Sequence, residues 1–450
     1  MKIGVMGAGY VGITTGICLA TNRRNLVLFD IDSEKIAKIN QKKLPFFEKG
    51  LQELLEKTID QKFLTATDNL NNFVRDTDGC FVCVGTPTKN NSIDTTQVEN
   101  AITELCDTIK NQKKENYVII IRSTIIPTTT KEILLPIIEN RLNELKFHVC
   151  VVPEFLREGN ALEDFMNPDK IVIGSNNEYG SMFVEKIFEE FKDQCEFIHT
   201  NIESSELIKY TNNSFFSMLI SFSNEIANIS EKLPNVDPYK ILKALVSDKR
   251  ITTKVKGEKI IPNLESYLVP GCGFGGSCFP KDVKAILNFA KSQKVNAPLL
   301  DAILQINDER PKKMIELCES VLGTLKNKKI AILGLTFKPE TDDLRSSPSI
   351  EAINLLLDLD ANISAYDPVL TTKSIPETLP KKCRYHGTLE ETIKGVDAIL
   401  VFTKWNEFNI LNSEMLSKFM KKPLIIDGRG YLDKTRFQEK TLYKIGFSER

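Results

Sequence analysis

Short apolar runs closed by glycine, proline or polar turns crowd both ends of the chain, while its middle shows only helical spacing. "KIGVM" at residues 2–6, "NLVLFDID" from 25, "GCFVCVGTP" from 79, "NYVIIIRST" from 116 and "FHVCVVPEF" from 147 each predict a buried strand ending in a loop. The carboxyl-terminal third repeats this pattern with "KKIAILGL" from 328, "NISAYDP" from 362, "GVDAILVFTKW" from 395 and "PLIIDGRG" from 423. There, "SSPSIEAINLLLDL" predicts a helix with a serine cap and Pro348 in its first turn. Residues 201–325 lack strand signals; "ESSELIKYTNNSFFSMLISFSNEIANISEKL" carries apolar residues or threonine at 207, 211, 215, 218, 219 and 222. Pro298 and Pro311 predict breaks in a second helical stretch. The expected architecture is α/β, then α, then α/β, in domains spanning 1–200, 201–325 and 326–450.

Composition narrows the field without changing this picture. At 450 residues the chain exceeds one ordinary core. Lys and Arg total 59 against 60 for Asp and Glu, so a net charge of −1 offers no global field for nucleic acid or an anionic membrane. The start, "MKIGVMGAGYVG", does not read as a signal peptide, and no apolar run approaches the roughly 18 residues of a membrane span. A cytoplasmic protein is expected. Ten scattered cysteines read as reduced thiols, and the CxxC of Cys80 and Cys83 reads as part of a buried strand. With three distant histidines, no metal site is expected.

The strand at 2–6 runs into "GAGYVG", a helix follows, and Asp30 closes the second strand 23 residues after Gly7. In this context the glycines form a dinucleotide-binding fingerprint. Gly7 permits the tight turn, Gly9 lets backbone approach a pyrophosphate, and Gly12 allows close helix packing, with Tyr10 and Val11 between them. Asp30 favours NAD over NADP. The carboxyl-terminal counterpart keeps only Gly334, so a different nucleotide, held partly by Lys338, is expected there. Lys209 and Asn213 share a helix face, Glu154, Arg157 and Glu158 follow a strand end, and Thr124 closes another. In "GCGFGGSCFPKD", glycines precede Cys278, and Lys281 and Asp282 follow it. A thiolate there could be a nucleophile with aspartate as a base, or Cys278 could be an inert thiol.

In order along nearly the whole chain, "GAGYVG", "VGTPT", "RSTIIP", "PEFLREG", "IKYTNNSF", "GFGGSCFPKD", "LGLTFKPETDDLRSSPS" and "DGRG" resemble the motifs of the UDP-glucose/GDP-mannose dehydrogenase family. The resemblance implies an N-terminal Rossmann-type NAD domain, a central helical domain with the catalytic loop and a C-terminal Rossmann-like nucleotide-sugar domain. It implies oxidation of a nucleotide sugar's primary alcohol to a carboxylate in two hydride transfers to NAD. Cys278 would hold the aldehyde as a thiohemiacetal that is oxidised to a thioester. Lys209, Asn213 and Asp282 would polarise the reacting oxygen and a water, and Thr124 and Glu158 would handle water and protons.

For the cofactor the resemblance implies the glycine turn, Asp30, Lys35, Thr86, Thr124, Glu158, Lys281 and Arg345. For the substrate it implies Glu154, Phe155, Leu156, Arg157, Glu158, Lys209, Asn213, Lys338, Arg429, Gly275 and the loop Tyr267, Leu268, Val269, Pro270 and Gly271. The glycines would give room for the sugar nucleotide to lie against backbone. A homodimer or larger homo-oligomer is implied as well.

One departure stands out: about twelve extra residues separate Arg250 and Ile251 from Tyr267, which leaves Arg250 without the expected substrate role. Within the resemblance, the serine and phenylalanine in "GGSCFPKD" fit the UDP-glucose group better than the "GGHC" form of the N-acetylated class. GDP-mannose, a UDP-N-acetylhexosamine and a single-oxidation hydroxyacid dehydrogenase are the alternatives.

Overall fold

In the computed structural model, which describes residues 1–89, 92–255, 258–260, 262–370 and 375–448, the chain divides into two compact units, 1–212 and 213–450. The first is built on an eight-stranded sheet. Its spatial order is Glu196–Thr200, Lys170–Ser175, Phe147–Val151, Tyr117–Ile121, Gly79–Val82, Lys2–Met6, Asn25–Phe29, Leu64–Thr67. Neighbours run parallel except where Phe147–Val151 meets Lys170–Ser175. Helices cover the sheet, so runs such as "YVIII" at 117–121 are wholly buried and need no polar alternation. The strands at 64–67, 170–175 and 196–200 extend the sheet beyond those the sequence pattern predicts. "LTAT" and "EFIHT" each contain exposed or half-buried positions, so they lack a continuous apolar run.

Lys2–Met6 lies between Asn25–Phe29 and Gly79–Val82, at the place where strand order reverses. Gly7 turns the chain there with φ of +101°, its N–H donating to the Phe29 carbonyl at 2.7 Å. A methyl group added at Gly12 would lie 1.9 Å from the Gly7 oxygen, so turn and helix Tyr10–Thr21 touch through backbone.

The second unit carries a six-stranded, all-parallel sheet ordered Arg384–Tyr385, Asn362–Tyr366, Lys329–Leu333, Ala398–Val401, Ile425–Asp427, Leu442–Lys444. This reproduces the order of the six parallel strands of the first unit, and explains why the two ends of the chain read alike. Helix Pro348–Asp358 forms as predicted, but Ser347 makes no side-chain cap; its hydroxyl meets that of Ser349 at 2.9 Å. Pro298 and Pro311 sit in the first turns of helices Pro298–Asp308 and Arg310–Leu322, where their missing N–H costs nothing. The long helix Ile202–Ser230 contains the unit boundary. The expectation of no strands between 201 and 325 is corrected by an antiparallel pair, Thr253–Val255 with Glu258–Ile260, inside the extra segment before Tyr267. Among the described residues no helix is long and apolar enough to cross a membrane.

Gly12→Ala should destabilise the first unit by about 1–3 kcal/mol through overpacking. Gly9→Ala should stay within about 0.5 kcal/mol of the parent, because a methyl at Gly9 meets nothing within 4 Å. Denaturant unfolding of the two variants checks the contrast.

Candidate functional site

The glycine turn of the first unit is prepared from several directions. One Asp30 carboxylate oxygen accepts the Ala8 N–H at 2.6 Å and the Lys35 ammonium at 3.2 Å. Asp32 caps the helix that carries Lys35. Thr86 donates its hydroxyl to the Thr124 carbonyl at 2.8 Å, which ties together two loops at neighbouring strand ends. Gly9 presents bare backbone to open space, which is the surface a pyrophosphate needs at a helix N-terminus. The Tyr10 hydroxyl points away from that turn and donates to Glu48 at 2.5 Å. Val11 packs against the core. Of these two residues, the turn itself uses only backbone. This cradle suits a dinucleotide.

The segment after Phe147–Val151 is not helical, so Glu154 and Glu158 share no helix face. Arg157 binds Asp164 through its side chain and its N–H. Glu154 is buried and meets the Lys209 ammonium at 2.8 Å, while the same ammonium donates to the Glu154 carbonyl at 2.7 Å. Burial works to raise the Glu154 pKa, but Lys209, the Leu156 N–H and Arg122 together hold it below the usual 4.5. Phe155 lies under two cations, with Lys170 at 4.4 Å and Lys209 at 5.6 Å from its ring centre. Lys209 is therefore a buried anchor, not a solvated helix residue.

Four residues further along that helix, Asn213 donates its side-chain amide to Asp282 at 2.6 Å. Asp282, 1% exposed, also accepts the Lys281 ammonium at 2.6 Å. The positive charge of Lys281, expected to favour thiolate, is thus directed to this carboxylate. Cys278 occupies the N-cap position of helix Phe279–Ser292, where partial positive charge favours an anion. It is half-buried, with the Ser277 hydroxyl 3.4 Å from its sulfur. All ten cysteines are free, and all but Cys195 and Cys278 are buried. Burial pushes the thiols of Cys18, Cys80, Cys83, Cys106, Cys318 and Cys383 up to about 12. It raises that of Cys272 as well. Position and access single out Cys278.

The glycines before Cys278 also sit against the protein itself. A methyl at Gly271 would lie 2.7 Å from the Gly428 oxygen, one at Gly275 would lie 2.3 Å from the Ser346 oxygen, and one at Gly276 would lie 2.8 Å from the Phe337 ring. Gly271 and Gly275 make room for backbone, and Gly276 makes room for the Phe337 ring. Leu268 and Pro270 are buried, Val269 is 36% exposed, and Tyr267 packs on Phe216 with ring centroids 4.6 Å apart and tilted by 37°. Arg429 donates to the carbonyls of Phe402, Gly273 and Phe337 at 2.5, 2.9 and 3.1 Å, so its guanidinium joins loops together. Arg345 forks onto Asp343 and accepts the Gly276 N–H at its carbonyl. The Lys338 ammonium lies 5.9 Å from the Phe337 ring centre.

Several residues that build the site carry no local motif. Glu48 accepts the N–H groups of Gly159 and Ala161 and so fixes the "PEFLREG" loop. Asp367 saturates the second unit's turn, accepting Leu335 N–H, Thr336 N–H and Trp405 Nε1–H at 2.7, 3.0 and 3.2 Å. A second dinucleotide turn is thereby filled from within.

A dinucleotide cradle, a cysteine at a helix N-terminus backed by a buried Asn–Asp–Lys cluster, and a second parallel sheet of the same order define a two-nucleotide-fold, cysteine-bearing class of dehydrogenase. Three family models match in sequence: the NAD binding domain at residues 1–192, the central domain at 203–309 and the UDP binding domain at 331–434. The chain belongs to the UDP-glucose/GDP-mannose dehydrogenase family. It is 36% identical over 450 residues to UDP-glucose 6-dehydrogenase of Rickettsia prowazekii, covering 99% of this chain and 98% of that one. It is 34% identical to UDP-glucose 6-dehydrogenase TuaD of Bacillus subtilis, covering 95% and 89%. A solved UDP-glucose dehydrogenase from Pyrobaculum islandicum superposes with TM-score 0.89 at 29% identity, over 99% of this chain and 98% of that one.

Lys209→Met should cost about 3–5 kcal/mol at neutral pH, because it leaves Glu154 buried without its cation. Glu154 has a depressed folded pKa, so its contribution is full above 4.5 and is lost as pH falls below that value. The stability difference between Lys209→Met and the parent should therefore be largest above pH 4.5 and narrow as pH falls below it, as measured by denaturant unfolding followed by circular dichroism.

Proposed function

We propose that this chain catalyses the NAD-dependent, four-electron oxidation of UDP-glucose to UDP-glucuronate, releasing two NADH. The observation that carries this reading is the half-buried Cys278 at a helix N-cap, one turn from an Asp282 carboxylate held by Asn213 and Lys281. NAD, when bound at the Gly7–Gly12 turn with Asp30, Lys35, Thr86, Thr124, Glu158, Lys281 and Arg345, supplies the hydride acceptor for both oxidations.

Two hydrides leave one carbon, so the aldehyde must be retained between them. Cys278 does this by adding its sulfur to the carbonyl carbon, giving a thiohemiacetal and then, after the second hydride leaves, a thioester that water cleaves. Lys209 and Asn213 supply donors to the reacting oxygen, and Asp282, Thr124 and Glu158 manage the water and its protons. Residues 154–158, the loop 267–271, Gly275, Lys338 and Arg429 shape the nucleotide-sugar side, Arg429 by bracing its loops. Ten free thiols support a reducing, cytoplasmic setting.

A homodimer is part of the same reading. Within the second unit, helix Ile202–Ser230 exposes Phe215, Phe222 and Ile229 at spacings of seven residues. Such a stripe is a surface for a second copy.

Purified protein with UDP-glucose should yield two NADH per sugar consumed, with GDP-mannose and UDP-N-acetylhexosamines turned over far more slowly. Cys278→Ala should abolish acid formation, and Gly9→Ala should weaken NAD binding at least about tenfold with the fold intact. One NADH per sugar would contradict the reading. Sedimentation should give a dimer that Phe222→Glu converts to monomer; a monomeric parent would contradict the oligomer.

A further inference from the structure

The backbone from Gly271 to Phe274 has neither helix nor strand, yet buried side chains hold it almost group by group. The Gly271 N–H donates to Asn224 Oδ1 at 2.8 Å, and its carbonyl accepts Arg310 Nε at 2.9 Å. The Cys272 N–H donates to the Gly428 carbonyl at 2.9 Å, and the Gly273 carbonyl accepts Arg429 Nη1 at 2.9 Å. Asn307 closes the run with both ends of its amide: Oδ1 accepts the Phe274 N–H at 2.8 Å and Nδ2 donates to the Phe274 carbonyl at 3.1 Å. That two-point pairing copies what a neighbouring strand would supply. Asn224 and Arg310 are fully buried and Asn307 is 9% exposed. Arg310 is itself anchored to the long helix through Asn228 Oδ1 at 2.6 Å.

Burying two amides and a guanidinium is costly, the more so because Asn224 Nδ2 and Arg310 Nη2 find no hydrogen-bond partner among the described residues. Here they converge on consecutive residues of one glycine-rich loop, the kind of backbone that loses most freedom when ordered. Four residues after Phe274 that backbone reaches Cys278, with Gly276 fixed on the way by the Arg345 carbonyl at 2.8 Å. The sulfur's position therefore depends on this clamp, and a displacement of about 1 Å can cost on the order of a hundredfold in capture rate.

We propose that Asn224, Asn307 and Arg310 are positioning residues that hold the 271–274 backbone so that Cys278 captures the aldehyde before it escapes; this rests on Cys278 being the nucleophile. Asn307→Asp keeps the acceptor for the Phe274 N–H but sets an oxygen against the Phe274 carbonyl. Arg310→Lys keeps the charge but removes the planar fork that reaches Gly271 and Asn228 together.

The test measures NADH formed per UDP-glucose consumed, with semicarbazide present to trap free aldehyde. The parent should give two and no trapped aldehyde. Either folded variant should fall toward one, with trapped aldehyde accounting for the difference. A variant that is merely less folded has fewer active molecules but keeps the ratio at two, because the ratio does not depend on how much enzyme is active. A ratio of two in whichever variants fold overturns the clamp proposal alone. A parent ratio of one overturns the reading of Cys278 itself.

Discussion

A carboxylate with 1% of its surface exposed must be met by donors, and Asp282 is met by the Asn213 amide and the Lys281 ammonium, each at 2.6 Å. Much of the candidate site is organised by that constraint. The Asp282 N–H donates to the Cys278 carbonyl at 2.8 Å, so the carboxylate that seeks Asn213 also sets the first turn of the helix on which Cys278 sits. Asn213 belongs to the long helix that carries Lys209, whose ammonium is fixed in turn by Glu154. The Cys278 thiol is thus placed by buried polar contacts, while burial raises the pKa of most other cysteines.

The two parallel sheets share one strand order, yet their turns are finished differently. In the first unit a single N–H of the turn is taken by Asp30, and Gly9 stays bare. In the second, Asp367 gathers two backbone N–H groups, a threonine hydroxyl and the Trp405 indole, and so occupies donors that the first turn keeps for a ligand. One arrangement of strands can therefore carry turns of different kinds, since what each turn leaves unbonded decides what it can hold.

Most of the fold was legible because one sheet is all parallel and the other parallel at all but one pairing, which writes buried strands such as "YVIII" and "AILV" as unbroken apolar runs. The glycine turn and the Lys209–Asn213 spacing were legible for similar local reasons. The edge strands at 64–67 and 196–200 were not, because half-exposed strands lose the apolar run; the short pair Thr253–Val255 and Glu258–Ile260 was not legible either, because "TKV" and "EKI" carry no apolar run. The close neighbours of the glycines at 271, 275 and 276 were not legible: a glycine records that something comes close, but the sequence does not name Gly428, Ser346 or the Phe337 ring as what does. Asn224, Asn307 and Arg310 went unnoticed because each is an isolated polar residue on a helix, and their common target appears only when the chain is folded.

The central claim is that Cys278 carries the sugar covalently between the two oxidations. Its most direct test is acid-quenched peptide mass spectrometry of protein turning over UDP-glucose with excess NAD, sampled within the first turnovers. The account predicts a UDP-glucuronyl mass increment on the peptide containing Cys278 and on no other cysteine peptide. Steady turnover with that peptide unmodified, or with the increment on another cysteine, would contradict it.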